Sequence, residues 1–91
     1  MMRQNIKGLS IMKRLSKIQK MLKGKNISYT YSEEDGCGSV DFLHRGLPYH
    51  IWEYADETTP CGVETNVFHA GRTEEIEGDY EDILINEIKS W

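Results

Sequence analysis

The feature that most constrains the fold is a change in the period of the apolar residues after Gly24. From Ile27 to Ser32, apolar and polar side chains alternate one by one. A period of two is typical of a strand with one buried face. The same alternation recurs in three later segments, which we predict as strands at 38–45, 48–55 and 61–69. The middle of the chain therefore indicates an antiparallel sheet of three to four strands.

Glycine-containing turns between these segments favour tight hairpins. Asp35-Gly36 supplies the positive φ that a two-residue hairpin requires. Between the second and third strands we predict a type II′ turn at Gly46-Leu47, because glycine suits its first central position. That turn places Phe42 opposite Ile51.

In this register both faces of the predicted 38–55 hairpin carry apolar side chains. One face holds Val40, Phe42 and Ile51, and the other holds Leu43, Trp52 and Tyr54. Two short helices can cover only one face of such a sheet. We therefore predict that Leu43, Trp52 and Tyr54 form an interaction site.

A helix is predicted on each side of the strands. Ile11, Leu15, Ile18 and Leu22 follow helical spacing, which predicts a helix over 11–23 with Ser10 as N-cap and Gly24 as its C-terminal stop. The second helix begins after an N-cap at Asp79, with acids in its first turn. Its apolar stripe is Tyr80, Leu84, Ile88 and Trp91, helped by Ile83.

These elements predict one α+β domain over residues 11–91. Both the N-terminal and the C-terminal helix are expected to pack on one face of the sheet. Residues 1–10 are expected to be a disordered extension. No segment approaches the length of about 20 apolar residues that a membrane-spanning helix needs.

The charges of this chain are distributed unevenly. Residues 1–25 hold eight Lys or Arg and no acid, whereas residues 26–91 hold three basic and fifteen acidic side chains. The basic residues of the first helix fall opposite its apolar stripe: Lys13, Arg14, Lys17, Lys20 and Lys23. Such a face is suited to nucleic acid or an anionic surface. The alternative is that the basic and acidic segments attract each other within one domain.

The histidines and cysteines show no recognisable site spacing. Cys37, His44, His50, Cys61 and His69 lack the close ligand pairs of zinc sites, so no metal or other cofactor is expected. Both cysteines are predicted to be free thiols. A small enzyme that uses Cys37 or Cys61 with a histidine stays a third hypothesis, and no catalytic residue is assigned.

Three stretches of the chain carry a resemblance. They are Gly46–Tyr54, Cys61–Val67 and Gly71–Glu81. Over residues 11–91 the sequence resembles a short uncharacterised bacterial family. More loosely, its order of elements is similar to secretion-chaperone-like domains, although this chain is shorter and has a basic first helix. That similarity implies a small dimer that binds the extended segment of a client protein.

The function that the sequence favours is a non-catalytic protein-interaction module in the cytoplasm. It would act through an apolar sheet face or edge, on another protein or on a second copy in a homodimer. Nucleic-acid binding through the basic helix is the alternative.

Overall fold

The computed structural model describes residues 14–69 and 71–91. Its elements are α1 (Ser16–Gly24), β1 (Tyr29–Glu34), β2 (Cys37–His44), β3 (Leu47–Asp56), β4 (Thr59–Thr65), β5 (Glu74–Glu77) and α2 (Tyr80–Ile88). The strands form an antiparallel meander in the order β1-β2-β3-β4-β5. The α+β class is confirmed, and the sheet has five strands rather than three or four. The predicted extension 1–10 lies outside the described residues.

The first helix begins at Ser16, later than the predicted residue 11. Leu15 occupies the N-cap position with a φ of 52° and provides no side-chain cap. Instead, the carboxylate of Glu81 in α2 accepts hydrogen bonds from the backbone N–H groups of Lys17 (3.0 Å) and Ile18 (3.3 Å). A residue distant in sequence thus satisfies donors that a helix normally offers to its own N-cap. Ser10, the predicted N-cap, lies outside the described residues.

The helix ends at Gly24, one residue beyond the predicted end at 23, and Asn26 takes the left-handed position that was predicted for Gly24. Asn26 has a φ of 61° and is the left-handed residue of the terminus. Its N–H donates to the Lys23 carbonyl, and the N–H of Ile27 donates to the Leu22 carbonyl. This pair of hydrogen bonds is the Schellman motif. Asparagine adopts the left-handed region more readily than other residues with a side chain, so it replaces the expected glycine.

The β2–β3 turn lies one residue earlier than predicted. Its central residues are Arg45 (φ 54°) and Gly46 (φ 81°), both positive as in a type I′ turn. Phe42 consequently faces Tyr49 rather than Ile51. Because this shift changes the register by two residues, every side chain keeps its predicted face.

The predicted fourth strand is confirmed, but it runs from Thr59 to Thr65 rather than over 61–69. A register irregularity at Tyr54/Ala55 lies beside Pro60, at a place where a missing N–H is tolerated. β5 was not predicted, because Ile76 is its one apolar residue. Three glutamates give this edge strand a charge that discourages further pairing.

The core contains side chains from both helices and from alternate positions of the sheet. Its buried members are Leu15, Ile18, Leu22, Val40, Phe42, Ile51, Val63, Val67, Leu84 and Ile88. Ile83, expected to support the stripe of α2, is instead 39% exposed. Neither helix in the described part of the chain is long and apolar enough to cross a membrane.

Candidate functional site

The candidate site is the open face of the sheet, defined here by Thr30, Asp41, Leu43, Pro48, His50 and Trp52. These residues occupy alternate positions on β1, β2 and β3, and the positions between them include the buried Val40, Phe42 and Ile51. Leu43 is 67% exposed and Trp52 is 41% exposed. Within this face, the Asp41–His50 pair lies between the Leu43–Pro48 pair and the position of Trp52.

Trp52 is exposed but held in position. Its indole N–H donates to Asp41, at 3.1 Å from Oδ1 and 3.3 Å from Oδ2. Its ring lies against the His50 imidazole, with centroids 4.3 Å apart. His50 Nε2 lies 3.2 Å from the Thr73 hydroxyl. The ring is therefore oriented before any partner arrives, which lowers the entropy lost on binding.

A shallow depression of about 450 Å³ adjoins Trp52 through Asp41. It is lined by Ser28, Tyr29, Thr30, Asp41, Phe42, Leu43, Pro48 and Tyr49. Asp41 belongs both to this depression and to the Trp52 hydrogen bond. The open face thus offers an apolar hollow with one carboxylate at its border.

Tyr54, the third predicted interaction residue, lies further along β3. Its hydroxyl donates to Glu77 of β5 at 3.1 Å, and its ring lies over Gly62. Tyr54 is half-buried and connects β3 with the far edge of the sheet. Leu43 and Trp52 are therefore the more accessible two of the three residues.

The cations of the predicted basic face do not form one shared surface. Arg14 pairs with Glu53 at 2.9 Å, and Lys17 pairs with Asp82 at 3.3 Å. Lys20 and Lys23 are exposed on α1, whereas Lys13 lies outside the described residues. Two of the five predicted cations thus contact acids of the same domain.

Sequence analysis missed a buried carboxylate network around Glu53, whose side chain is 1% exposed. Glu53 accepts hydrogen bonds from Arg14 Nε (3.0 Å), Arg14 Nη2 (2.9 Å), the Gly38 N–H (2.9 Å) and the Tyr80 hydroxyl (2.5 Å). Its partners come from three different parts of the chain, and no local spacing indicates them. The outward-polar, inward-apolar pattern of β3 is broken at this residue, which is the one signal available.

The pKa of Glu53 reflects competing effects. Burial alone would raise it, but the hydrogen bonds from Arg14, Tyr80 and Gly38 outweigh burial and lower the pKa. The pKa of Tyr80 is raised by burial and by the neighbouring Glu53 carboxylate, so its hydroxyl remains a donor. Each carboxylate oxygen of Glu53 accepts two hydrogen bonds from protein donors, so Glu53 connects Arg14, β2 and α2.

The thiols provide little support for catalysis. Cys37 and Cys61 are free thiols, as predicted, and both are half-buried. Burial and the Glu53 carboxylate raise the pKa of the Cys37 thiol, which disfavours the reactive thiolate. Among the described residues, no group of three His, Cys, Asp or Glu side chains is arranged to hold a metal ion.

A second hollow, of about 380 Å³, lies beside the Trp91 ring. The Trp91 ring stacks on the His44 ring, with ring centroids 4.9 Å apart. Its centroid lies 4.8 Å from that of the Tyr49 ring. His44 Nε2 is buried there without a hydrogen-bond partner among the described residues. The ring stacking accounts for the position of His44.

No protein-family model matches this chain, and neither a curated protein nor a solved structure matches it. The resemblance to an uncharacterised bacterial family, or to secretion-chaperone-like domains, therefore stays a prediction.

Proposed function

We propose that this protein is a non-catalytic interaction module that binds another protein through the open face of its sheet. The observation that carries the proposal is the exposure of Leu43 and Trp52 on the face opposite the buried Val40, Phe42 and Ile51. Tryptophan is enriched among the residues that dominate binding energy, especially where it is rigid and close to an interface centre.

The arrangement of the helices is part of this proposal. The core cluster combines α1 and α2 side chains with the Val40 face of the sheet, which supports both helices packing on that face. The Trp52 face would then be free for a partner. A cytoplasmic location agrees with the two free thiols and belongs to the same proposal.

Site-specific photocrosslinking tests the open face directly. A photoreactive phenylalanine analogue at position 43 should crosslink to a partner protein in cells that express the chain. Trp52→Ser should reduce the crosslink yield at least about tenfold, as expected when an aromatic anchor is lost. The same analogue at position 83, an exposed apolar position on α2, is the control and should not give the crosslink seen from position 43.

The control variant for Trp52→Ser is Ile83→Ser, which removes an apolar side chain of similar exposure from α2. It should leave the crosslink from position 43 unchanged. Identical products from positions 43 and 83, or a yield that ignores Trp52→Ser, would contradict the proposal.

Binding of nucleic acid or an anionic surface through α1 is second among the proposals. Its support is the exposure of Lys20 and Lys23, and it is weakened by the pairing of Arg14 with Glu53 and of Lys17 with Asp82. A Cys/His enzyme is third, because the pKa of Cys37 is shifted away from reactivity.

A further inference from the structure

We infer that two copies of this chain pair through the free edges of their β1 strands and form one continuous sheet. β1 lies at one end of the strand order and has β2 as its single neighbour among the described strands. This surface is different from the open face, so the inference does not depend on the proposed function.

The backbone of β1 offers hydrogen-bonding groups to a second strand. Glu34 and Cys37 flank the two-residue turn Asp35-Gly36, whose φ values are both positive. In such a hairpin the flanking residues form a hydrogen-bonded pair, and the alternation continues along the strand. Even-numbered residues of β1 therefore bond to β2. The N–H and C=O groups of Tyr29, Tyr31 and Glu33 point outward.

The side chains of this edge are already fixed. The Tyr29 hydroxyl donates to the Gln19 side chain at 2.9 Å, and the Tyr31 hydroxyl accepts from the Arg14 N–H at 3.1 Å. Both rings pack against the core. An edge anchored in this way loses little entropy when it acquires a neighbour.

A groove of about 580 Å³ lies beside the first half of β1. It is lined by Lys23, Asn26, Ile27, Ser28, Tyr29 and Tyr31. The other end of the strand leads into the acids Glu33, Glu34 and Asp35. The edge thus carries a cation at one end and carboxylates at the other.

This polarity favours a second copy over an unrelated segment. When two identical strands pair antiparallel about a two-fold axis, the acidic end of each meets the basic end of the other. Outward-pointing residues must face each other, so the register places Tyr31 opposite Tyr31 and Tyr29 opposite Glu33. Glu33 shares the face of Tyr29 and Tyr31, which is the face on which α1 contributes Lys23 to the groove. Each dimer therefore contains two Glu33–Lys23 contacts.

The opposite edge of the sheet lacks this complementarity. β5 is short and carries Glu74, Glu75 and Glu77, so two copies pairing there would bring like charges together. The charge pattern therefore selects β1.

Sedimentation equilibrium on charge variants tests the pairing. The unaltered chain should have twice the 10.6 kDa of one copy. Glu33→Lys and Lys23→Glu should each weaken the dimer about 100-fold, because each creates two like-charge contacts. The double variant Lys23→Glu/Glu33→Lys restores opposite charges and should recover the dimer.

Two controls make the outcome decisive. Glu75→Lys makes the same charge change on β5 and should leave the dimer intact, and so should Trp52→Ser on the open face. A monomeric unaltered chain would overturn the inference. The inference would also be overturned if both single charge variants dimerised as strongly as the unaltered chain, or if Trp52→Ser dissociated the dimer.

Discussion

Replacing Glu53 with glutamine should lower the free energy of unfolding by about 3–5 kcal/mol, the range observed when one partner of a buried ion pair is lost. The side chain is 1% exposed and accepts four hydrogen bonds. A neutral amide removes the negative charge that pairs with Arg14. Its NH₂ group is itself a donor and would face one of the donors that now bind the carboxylate. Urea denaturation followed by circular dichroism measures the effect.

Glu75→Gln is the matched control, because Glu75 is exposed on the same sheet. It should change the free energy of unfolding by less than about 0.5 kcal/mol. If Glu53→Gln were no more destabilising than Glu75→Gln, the network would not contribute to folding as argued.

The same network predicts a dependence of stability on pH. The pKa of Glu53 is lowered in the folded state, so its contribution is present above the ordinary carboxyl pKa and is lost as the pH falls through the folded value. The pKa of Tyr80 is raised, so its contribution is present below the ordinary phenol pKa and declines as the pH rises above it. Denaturation midpoints should therefore decline both at acidic pH, where Glu53 is protonated, and at alkaline pH, where Tyr80 is deprotonated. Glu53→Gln should flatten the acidic decline, and an unchanged profile would contradict this assignment.

Gly62→Ala should destabilise the domain by about 2 kcal/mol through overpacking. A Cβ at this position would lie 2.6 Å from the Tyr54 hydroxyl oxygen and 2.8 Å from the Ile76 carbonyl oxygen. The tyrosine ring can move aside, but the carbonyl belongs to β5, so the β4–β5 pair must separate. Thermal unfolding monitored by circular dichroism would show the loss.

Gly24→Ala is a suitable comparison, because nothing lies within 4 Å of the Cβ it would add. In a helix this change should be neutral or stabilising by up to about 1 kcal/mol. If the two alanine variants had the same thermal stability, the close approach at Gly62 would not be the cause of any destabilisation.

Period-two reasoning predicted the faces of β2 and β3 correctly even though the turn was misplaced. A register error of two residues preserves the face of Phe42 and of Trp52, whereas an error of one would have exchanged them. Local patterns therefore placed the apolar side chains Val40, Phe42 and Ile51 on the buried face, but they did not indicate that Glu53 is buried there too. They also predicted Asp79 as the N-cap of α2, and it occupies that position, although its side chain makes no capping hydrogen bond.

The misses arise where a non-local contact decides the structure. β5 forms because its backbone completes β4, although only Ile76 favours burial. Arg14 leaves the basic face because Glu53, which is 39 positions away, receives its guanidinium. Helical spacing around Arg14 contains no information about that acid. The exposure of Leu43 and Trp52 was predictable, because it follows from alternation and a count of the helices.

The capping of α1 by Glu81 has a consequence for local unfolding. Further polar contacts join the helices and the residues that follow them: Lys17 with Asp82, and the Lys25 ammonium with the carbonyls of Lys89 and Trp91. When α2 detaches, the first turn of α1 loses its acceptor and both helices lose shared core contacts. The amide protons of the two helices should therefore exchange with solvent as one cooperative unit, although more than 60 positions separate the contacting residues.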